Sequence, residues 1–304
     1  MQETLGFHLL ISLAAPALVW FLFAKPLMTI GPKKSLGLMG LTVFVWCILF
    51  PVIMITTGST KLSISGETDF VVVKLLSVAF IMLVFQGFIV ASYYKKHINS
   101  KTMTWVIGGL FMINILEACY TQFNNYLEPQ ATSKHVIDVL NPIIGLGLVG
   151  IVIATYLHRR IEIVRPDKKQ IRLDAKLGTW FIISYTIWNL LFRSRLIENT
   201  SSLIFATLSL GLPLICHFTK TGDWLQIRGV GLLSLMIFTF GLTPAMQNFN
   251  LLPVYNKDGY DKPSDNESII SKAQSNDVYR WGMFIAALGT LVMAGKELHL
   301  FGMK

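Results

Sequence analysis

Apolar stretches of about 20 residues recur along the whole chain, and each is as long as a helix must be to cross the hydrocarbon core of a bilayer. The stretches are continuous rather than alternating, which selects helices over a β-barrel. Of 304 residues, 53% are hydrophobic and only 14% charged, whereas a soluble domain is about a quarter charged. The expected fold class is therefore all-α, a polytopic transmembrane helix bundle forming one domain over 1–304. Nine spans are expected, near 5–30, 36–57, 70–94, 103–123, 137–157, 177–194, 202–219, 226–246 and 278–297.

The connections alternate in charge. The first, third, fifth and seventh, with the C-terminal tail and the adjoining span ends, hold 17 of the 26 Lys and Arg residues. The other side holds 9, together with 12 of the 17 acidic residues if Glu117 is counted there. The positive-inside rule then puts the N-terminus outside and the C-terminus in the cytoplasm. The net charge of +9 is accounted for by this topology, so no nucleic-acid partner is expected; the partner is the bilayer. Lys25 follows the first apolar run rather than preceding it, so no cleavable signal peptide is expected. The basic connection 158–176 reads as a topology determinant, and 247–277 as an irregular extracytoplasmic loop.

Several patterns have plain structural readings. Cys47, Cys119 and Cys216 fall in apolar runs without CxxC spacing, which suits buried free thiols. Pro16, Pro51, Pro213 and Pro244 lie in or near the ends of spans, where membrane helices tolerate them. Asn141-Pro142 suits a helix start. The run Gly145-Leu146-Gly147-Leu148-Val149-Gly150 lacks the strand and the Lys-Ser/Thr of a nucleotide loop. With Ala154, and with Gly282, Ala286, Ala287 and Gly289 in the last span, it reads as a helix-packing face. No HExxH, nucleophile elbow or His-carboxylate cluster occurs, so no catalytic set, metal or cofactor is expected.

The costly polar residues gather at one expected depth. Glu117 lies inside span four, about a turn and a half from its outer end. An ionisable group there is expensive unless it is paired, hydrated or protonated. Asn114, Glu117, Thr121 and Asn125 share one helical face, and so do Tyr185, Asn189 and Arg193 toward the outer end of span six. Lys74 and Asn141 belong to the same outer level, with His8 at its margin. An outward-facing polar pocket built from Glu117, Asn114, Asn141, Tyr185, Asn189, Arg193 and Lys74 is one reading. A structural pairing of Glu117 with Arg193 or Lys74 is the other. On the cytoplasmic side His217, Trp224, Gln226 and Arg228, with Asp223, form a second group around the seventh connection.

Four short motifs occur in order: Asn114-Ile115-Leu116-Glu117-Ala118, Val139-Leu140-Asn141, Tyr185-Thr186-Ile187-Trp188-Asn189 and Trp224-Leu225-Gln226-Ile227-Arg228. As a set over roughly 100–245 they resemble a bacterial multi-span membrane family known only as a domain of unknown function. The resemblance implies a bacterial setting and no particular activity; the expected location is the inner membrane. It implies that Glu117, Asn141, Trp188, Asn189, Gln226 and Arg228 match family motif positions. Thr186 stands where the family's Tyr-x-x-Trp-Asn motif carries an acidic residue, which argues against a shared proton relay at that position.

The function expected is that of a transporter or permease-like protein for a small polar solute, with Glu117 as the coupling carboxylate, Asn114, Asn141 and Asn189 as solute contacts, and Arg193 as counter-charge. The alternatives are a membrane sensor that binds a ligand outside and a lipid-modifying intramembrane enzyme. No internal repeat is visible, which weighs against a standard inverted-repeat transporter.

Overall fold

The structure, a computed structural model, describes residues 14–49, 52, 67–94, 100–127, 136–164, 172–193, 206–237 and 277–299, and for 67–75, 125, 192 and 193 it describes the backbone alone. Among the described residues a helix stands at each of the nine expected positions. These are α1 (Ala14–Thr29) and α2 (Pro32–Leu49), α3 (Glu67–Tyr94), α4 (Ser100–Leu127), α5 (Val136–His158) and α6 (Thr179–Arg193). They continue with α7 (Ala206–Phe218), α8 (Trp224–Ile237) and α9 (Asp277–Glu297). Among the described residues five helical stretches are long and apolar enough to cross a membrane: Pro32–Leu49, Leu76–Tyr94, Ser100–Asn124, Val136–His158 and Asp277–Glu297. That points to membrane association. His8 and, apart from Asp277, the expected loop 247–277 lie outside the described residues.

Local chemistry explains several boundaries. Gly31 adopts φ 88, a conformation open to glycine, and Pro32 then begins α2 with its ring suited to a first turn. Asp223 caps α8: its Oδ1 accepts the backbone N–H of Leu225 at 3.0 Å and of Gln226 at 3.2 Å. Among the described residues three helices contain wide π-helical turns, at Trp20–Ala24, Phe44–Leu49 and Ala206–Gly211.

The fold is not purely helical. The basic connection after α5 carries a two-stranded ribbon, β1 (Glu162–Val164) and β2 (Arg172–Asp174). Each strand is three residues long, too short for a period-2 pattern to stand out from a loop.

Close contacts group the chain into two compact units that interleave along the sequence. Unit 1 holds α1, α2, α3, the β2 strand, α7 and α8. Its centre is α8, which touches α1, α3, α7 and β2 and is buried almost all round, as expected of a core helix. Gln86 of α3 donates to the Ser35 hydroxyl of α2 at 2.6 Å, and Ser35 donates to the Pro32 carbonyl at 2.8 Å. This buried chain of hydrogen bonds ties the two helices together.

Unit 2 holds α4, α5, α6 and α9, with α5 packed against the other three. The pairs α4–α5 and α6–α9 are antiparallel, as their matched contacts show: Gln122 with Asn141 but Thr104 with Ile161, and Ser184 with Ala287 but Thr179 with Glu297; α9 meets α5 through Arg280 with Asp138 and Leu291 with Gly147. One end of unit 2 therefore carries Lys101, Arg159, Arg160 and Lys296, and the other carries Asp138 and Arg280. On α4 the exposed Ile113, Leu116, Tyr120, Phe123 and Leu127 form an outward apolar stripe; on α9 Val278, Trp281, Ile285, Leu288 and Val292 do the same.

Some of the small residues are packing sites and some are not. A β-carbon at Gly145 would overlap Cys119 and lie 2.9 Å from Trp188, and one at Gly147 would meet Leu291 at 2.6 Å. Ala287 is buried and its carbonyl accepts the Ser184 hydroxyl at 3.0 Å. Gly150, Gly282 and Gly289 instead have open space beside them, and Ala286 is exposed. The expected packing face thus shrinks to the side of each helix turned toward its neighbours, a distinction that residue size does not encode.

At its basic end α9 supplies a cap for α6. The Glu297 carboxylate accepts the N–H groups of Thr179 at 3.0 Å and Trp180 at 2.9 Å, two donors that a helix start leaves without an internal partner. A β-carbon at Gly178 would overlap that carboxylate. Glu297→Ala is expected to remove about 1 kcal/mol of stability and to speed hydrogen exchange at the Thr179 and Trp180 amides. Unchanged exchange at those two amides would refute the cap.

Candidate functional site

Three of the four sequence motifs converge within unit 2. Ile115 and Cys119 lie on the buried face of α4, Asn141 and Pro142 on α5, and Tyr185, Trp188 and Asn189 on α6. The Cys119 thiol donates to the Pro142 carbonyl at 3.6 Å, and Trp188 Nε1–H donates to the Asn141 carbonyl at 3.1 Å. The Asn141-Pro142 step lies inside α5 rather than at its start, and the Trp188 bond ties α6 to α5 there. Gly145 leaves room for both Cys119 and Trp188, which explains why bulky and small motif residues alternate across this crossing.

At the end of unit 2 opposite the basic one, a buried polar group builds on this crossing. Asn141 is fully buried and its Nδ2 donates to Gln122 Oε1 at 3.0 Å. Asn141 Oδ1 is buried and has no hydrogen-bond partner among the described residues. One turn earlier on α5, Asp138 Oδ1 accepts from Arg280 Nη2 of α9 at 2.7 Å, with both side chains 5% exposed. Arg280 Nε is likewise buried without a hydrogen-bond partner among the described residues. An unmatched buried donor or acceptor costs about 1–3 kcal/mol, and these two lie on α5 and α9, which pack together.

The expected site residues divide into three sets. Asn141, Tyr185 and Asn189 are inside unit 2, but the latter two serve the helices around them. The Tyr185 ring is buried against Phe111 at 5.4 Å and Trp188 at 5.7 Å between ring centres, with Phe181 next in the column. Asn189 Nδ2 donates back to the Tyr185 carbonyl at 3.1 Å, a local bond available to a short polar side chain inside a helix. Glu117 and Asn114 form the second set. They are half-buried on α4, Asn114 about a quarter turn and Glu117 nearer half a turn from the row Ile107, Phe111, Ile115, Cys119 facing the bundle. The third set is Arg193 and Lys74, whose side chains lie outside the described residues, and with them any pairing of Glu117 with Arg193 or Lys74.

Sequence reasoning passed over Asp138, Arg280 and Gln122. Asp138 is three residues before Asn141, hence on the same helical face, and Arg280 opens the last apolar run. The signal was present: two ionisable residues of opposite sign at the same expected depth in separate spans.

The second expected group lies in unit 1. Trp224, Gln226 and Arg228 are buried in the first turns of α8, while His217 of α7 is half-buried with its ring edge against Phe218 at 5.4 Å. Gln226 Oε1 accepts the Leu173 backbone N–H at 3.1 Å, and Arg172 Nη1 donates to the Lys220 carbonyl at 2.8 Å. With Asp223 acting as a cap, this group docks β2 onto α8 and the α7–α8 turn. Cys47, Cys119 and Cys216 are buried free thiols. Among the described residues no three His, Cys, Asp or Glu side chains come together as metal ligands.

Comparison with curated proteins gives no match, and comparison with solved structures gives none. A family model described as a family of unknown function, DUF5692, matches residues 12–293; the chain belongs to that family.

Proposed function

We propose that this chain is a multi-pass membrane protein of the bacterial inner membrane that binds a small polar solute at the end of unit 2 holding Asp138 and Arg280, and carries it across the bilayer as a permease does. The observation that carries the reading is the polar layer of buried Asp138, Asn141 and Arg280 with half-buried Gln122, gathered from three helices. Intramembrane ionisable residues are costly, and they concentrate on substrate and ion pathways. The basic end of unit 2 is the cytoplasmic one in this reading, by the excess of Lys and Arg there, so the polar layer opens to the outside. Glu117 and Asn114 on α4 are the coupling carboxylate and an auxiliary contact.

The test is flux. Purified protein in proteoliposomes is given labelled amino acids, amides, polyols and carboxylates one at a time, with Asp138→Leu and Glu117→Gln as controls. Uptake that saturates in wild type and falls at least tenfold in Asp138→Leu supports the permease. Saturable binding with no uptake makes the protein a sensor or accessory subunit. Neither binding nor uptake across the panel overturns the proposal.

A further inference from the structure

On the proposed solute site in unit 2, we infer that the ligand is net-neutral and bears a carboxamide-type group, an N–H or O–H donor beside a carbonyl-type acceptor. Three observations carry this. The Asp138 carboxylate and the Arg280 guanidinium already neutralise each other at 2.7 Å, with both side chains 5% exposed. Among the described residues unit 2 buries no other charged side chain, so a charged ligand entering so buried a site would bring an uncompensated charge, the costliest exchange available. The two atoms left over are of opposite kinds: Arg280 Nε–H is a donor and Asn141 Oδ1 an acceptor, both buried and both without a hydrogen-bond partner among the described residues. They are also within one ligand's reach, because Asp138 and Asn141 are neighbours one turn apart on α5.

A carboxamide matches both atoms at once. Its carbonyl accepts from Arg280 Nε–H while its N–H donates to Asn141 Oδ1. The match survives a turn of the Asn141 amide, since oxygen and nitrogen there are assigned from their partners. With the amide reversed, an N–H₂ would occupy the same position and a carboxamide would still offer it an acceptor. Gln122 fixes the Asn141 head through their 3.0 Å bond, so the acceptor is held in place before the ligand arrives. A site built in this way, to hydrogen-bond both edges of a ligand, rejects analogues lacking one of them, because a buried group is then left unmatched.

The test uses three probes of nearly one shape and three charges: propionamide, propionate and propylammonium. Each is titrated onto the full-length protein in nanodiscs and followed by saturation-transfer NMR. Propionamide is expected to give a saturable signal, at least tenfold weaker in Asn141→Leu, while the two ions give signals at least tenfold weaker than the amide in wild type. Arg280→Lys keeps a positive partner for Asp138 but removes the Nε–H, and it is expected to weaken the amide without unfolding the protein. Propionate or propylammonium binding as well as the amide, with loss in Asn141→Leu, would sink the ligand class and leave the solute site standing. No saturable signal from any probe, with only a buried water between Asn141 and Arg280, would overturn the inference and count against the solute site itself.

Discussion

Asp138→Leu is expected to cost about 3–5 kcal/mol, the usual penalty for removing one partner of a buried ion pair. The substitution leaves the Arg280 guanidinium buried with its Nη2 contact to Asp138 gone and its Nε already without a hydrogen-bond partner among the described residues. Differential scanning of the purified protein should show a clear drop in melting temperature. The double variant Asp138→Leu/Arg280→Leu should recover most of that loss, because two apolar side chains replace a pair whose own desolvation offset much of its attraction. The cycle formed by the wild type, the two single variants and the double variant therefore has a large coupling term. Additive effects would mean that the 2.7 Å contact is incidental. Glu117→Gln, half-buried on α4, is expected to cost less than Asp138→Leu. The reverse order would return the structural weight to Glu117.

Gly231→Val is expected to be as damaging in unit 1. Here α8 crosses the π-helical turn of α7 so closely that a β-carbon at Gly231 would overlap the Leu208 carbonyl oxygen and lie 3.1 Å from the Leu208 carbonyl carbon. These are backbone atoms of a neighbouring helix and cannot rotate aside. Overpacking of this kind costs about 1–3 kcal/mol and more when the backbone must shift, so Gly231→Ala should already destabilise and Gly231→Val should reduce the yield of folded protein. Two controls separate crowding from helix propensity. Gly229→Ala meets only the Met82 side chain, a flexible thioether that can repack, and should be milder. Gly289→Ala on α9 has nothing within 4 Å and should be within about 0.5 kcal/mol of wild type. Equal losses at all three glycines would show that the close crossing is not the cause.

Both predictions concern contacts that the order of residues does not announce. Apolar run length is a local property, and among the described residues it located nine helices to within a few residues where the ends are described, because the demand that backbone groups be satisfied inside an apolar stretch is met helix by helix. The capping role of Asp223 and the break at Gly31-Pro32 are local in the same way. The buried thiols also follow from the apolar runs that contain them. The costly residues Asn141 and Gln226 could be picked out one by one, since each is polar in an apolar run.

The partners of those residues were another matter. Asp138 and Arg280 are 142 positions apart, and Thr179 and Glu297 are 118 apart. Which helices touch depends on shape complementarity between whole faces, not on any one stretch. Local order along the chain specifies membrane-type helices, their positions and the residues that need partners. Packing selects the partners: α9 returns onto α5 and α6, Tyr185 joins an aromatic column, and Asp138 is buried with Arg280. Hydrophobic length is counted along the chain, whereas the balance of a buried charge is struck across space by whatever group the packing brings within about 3 Å.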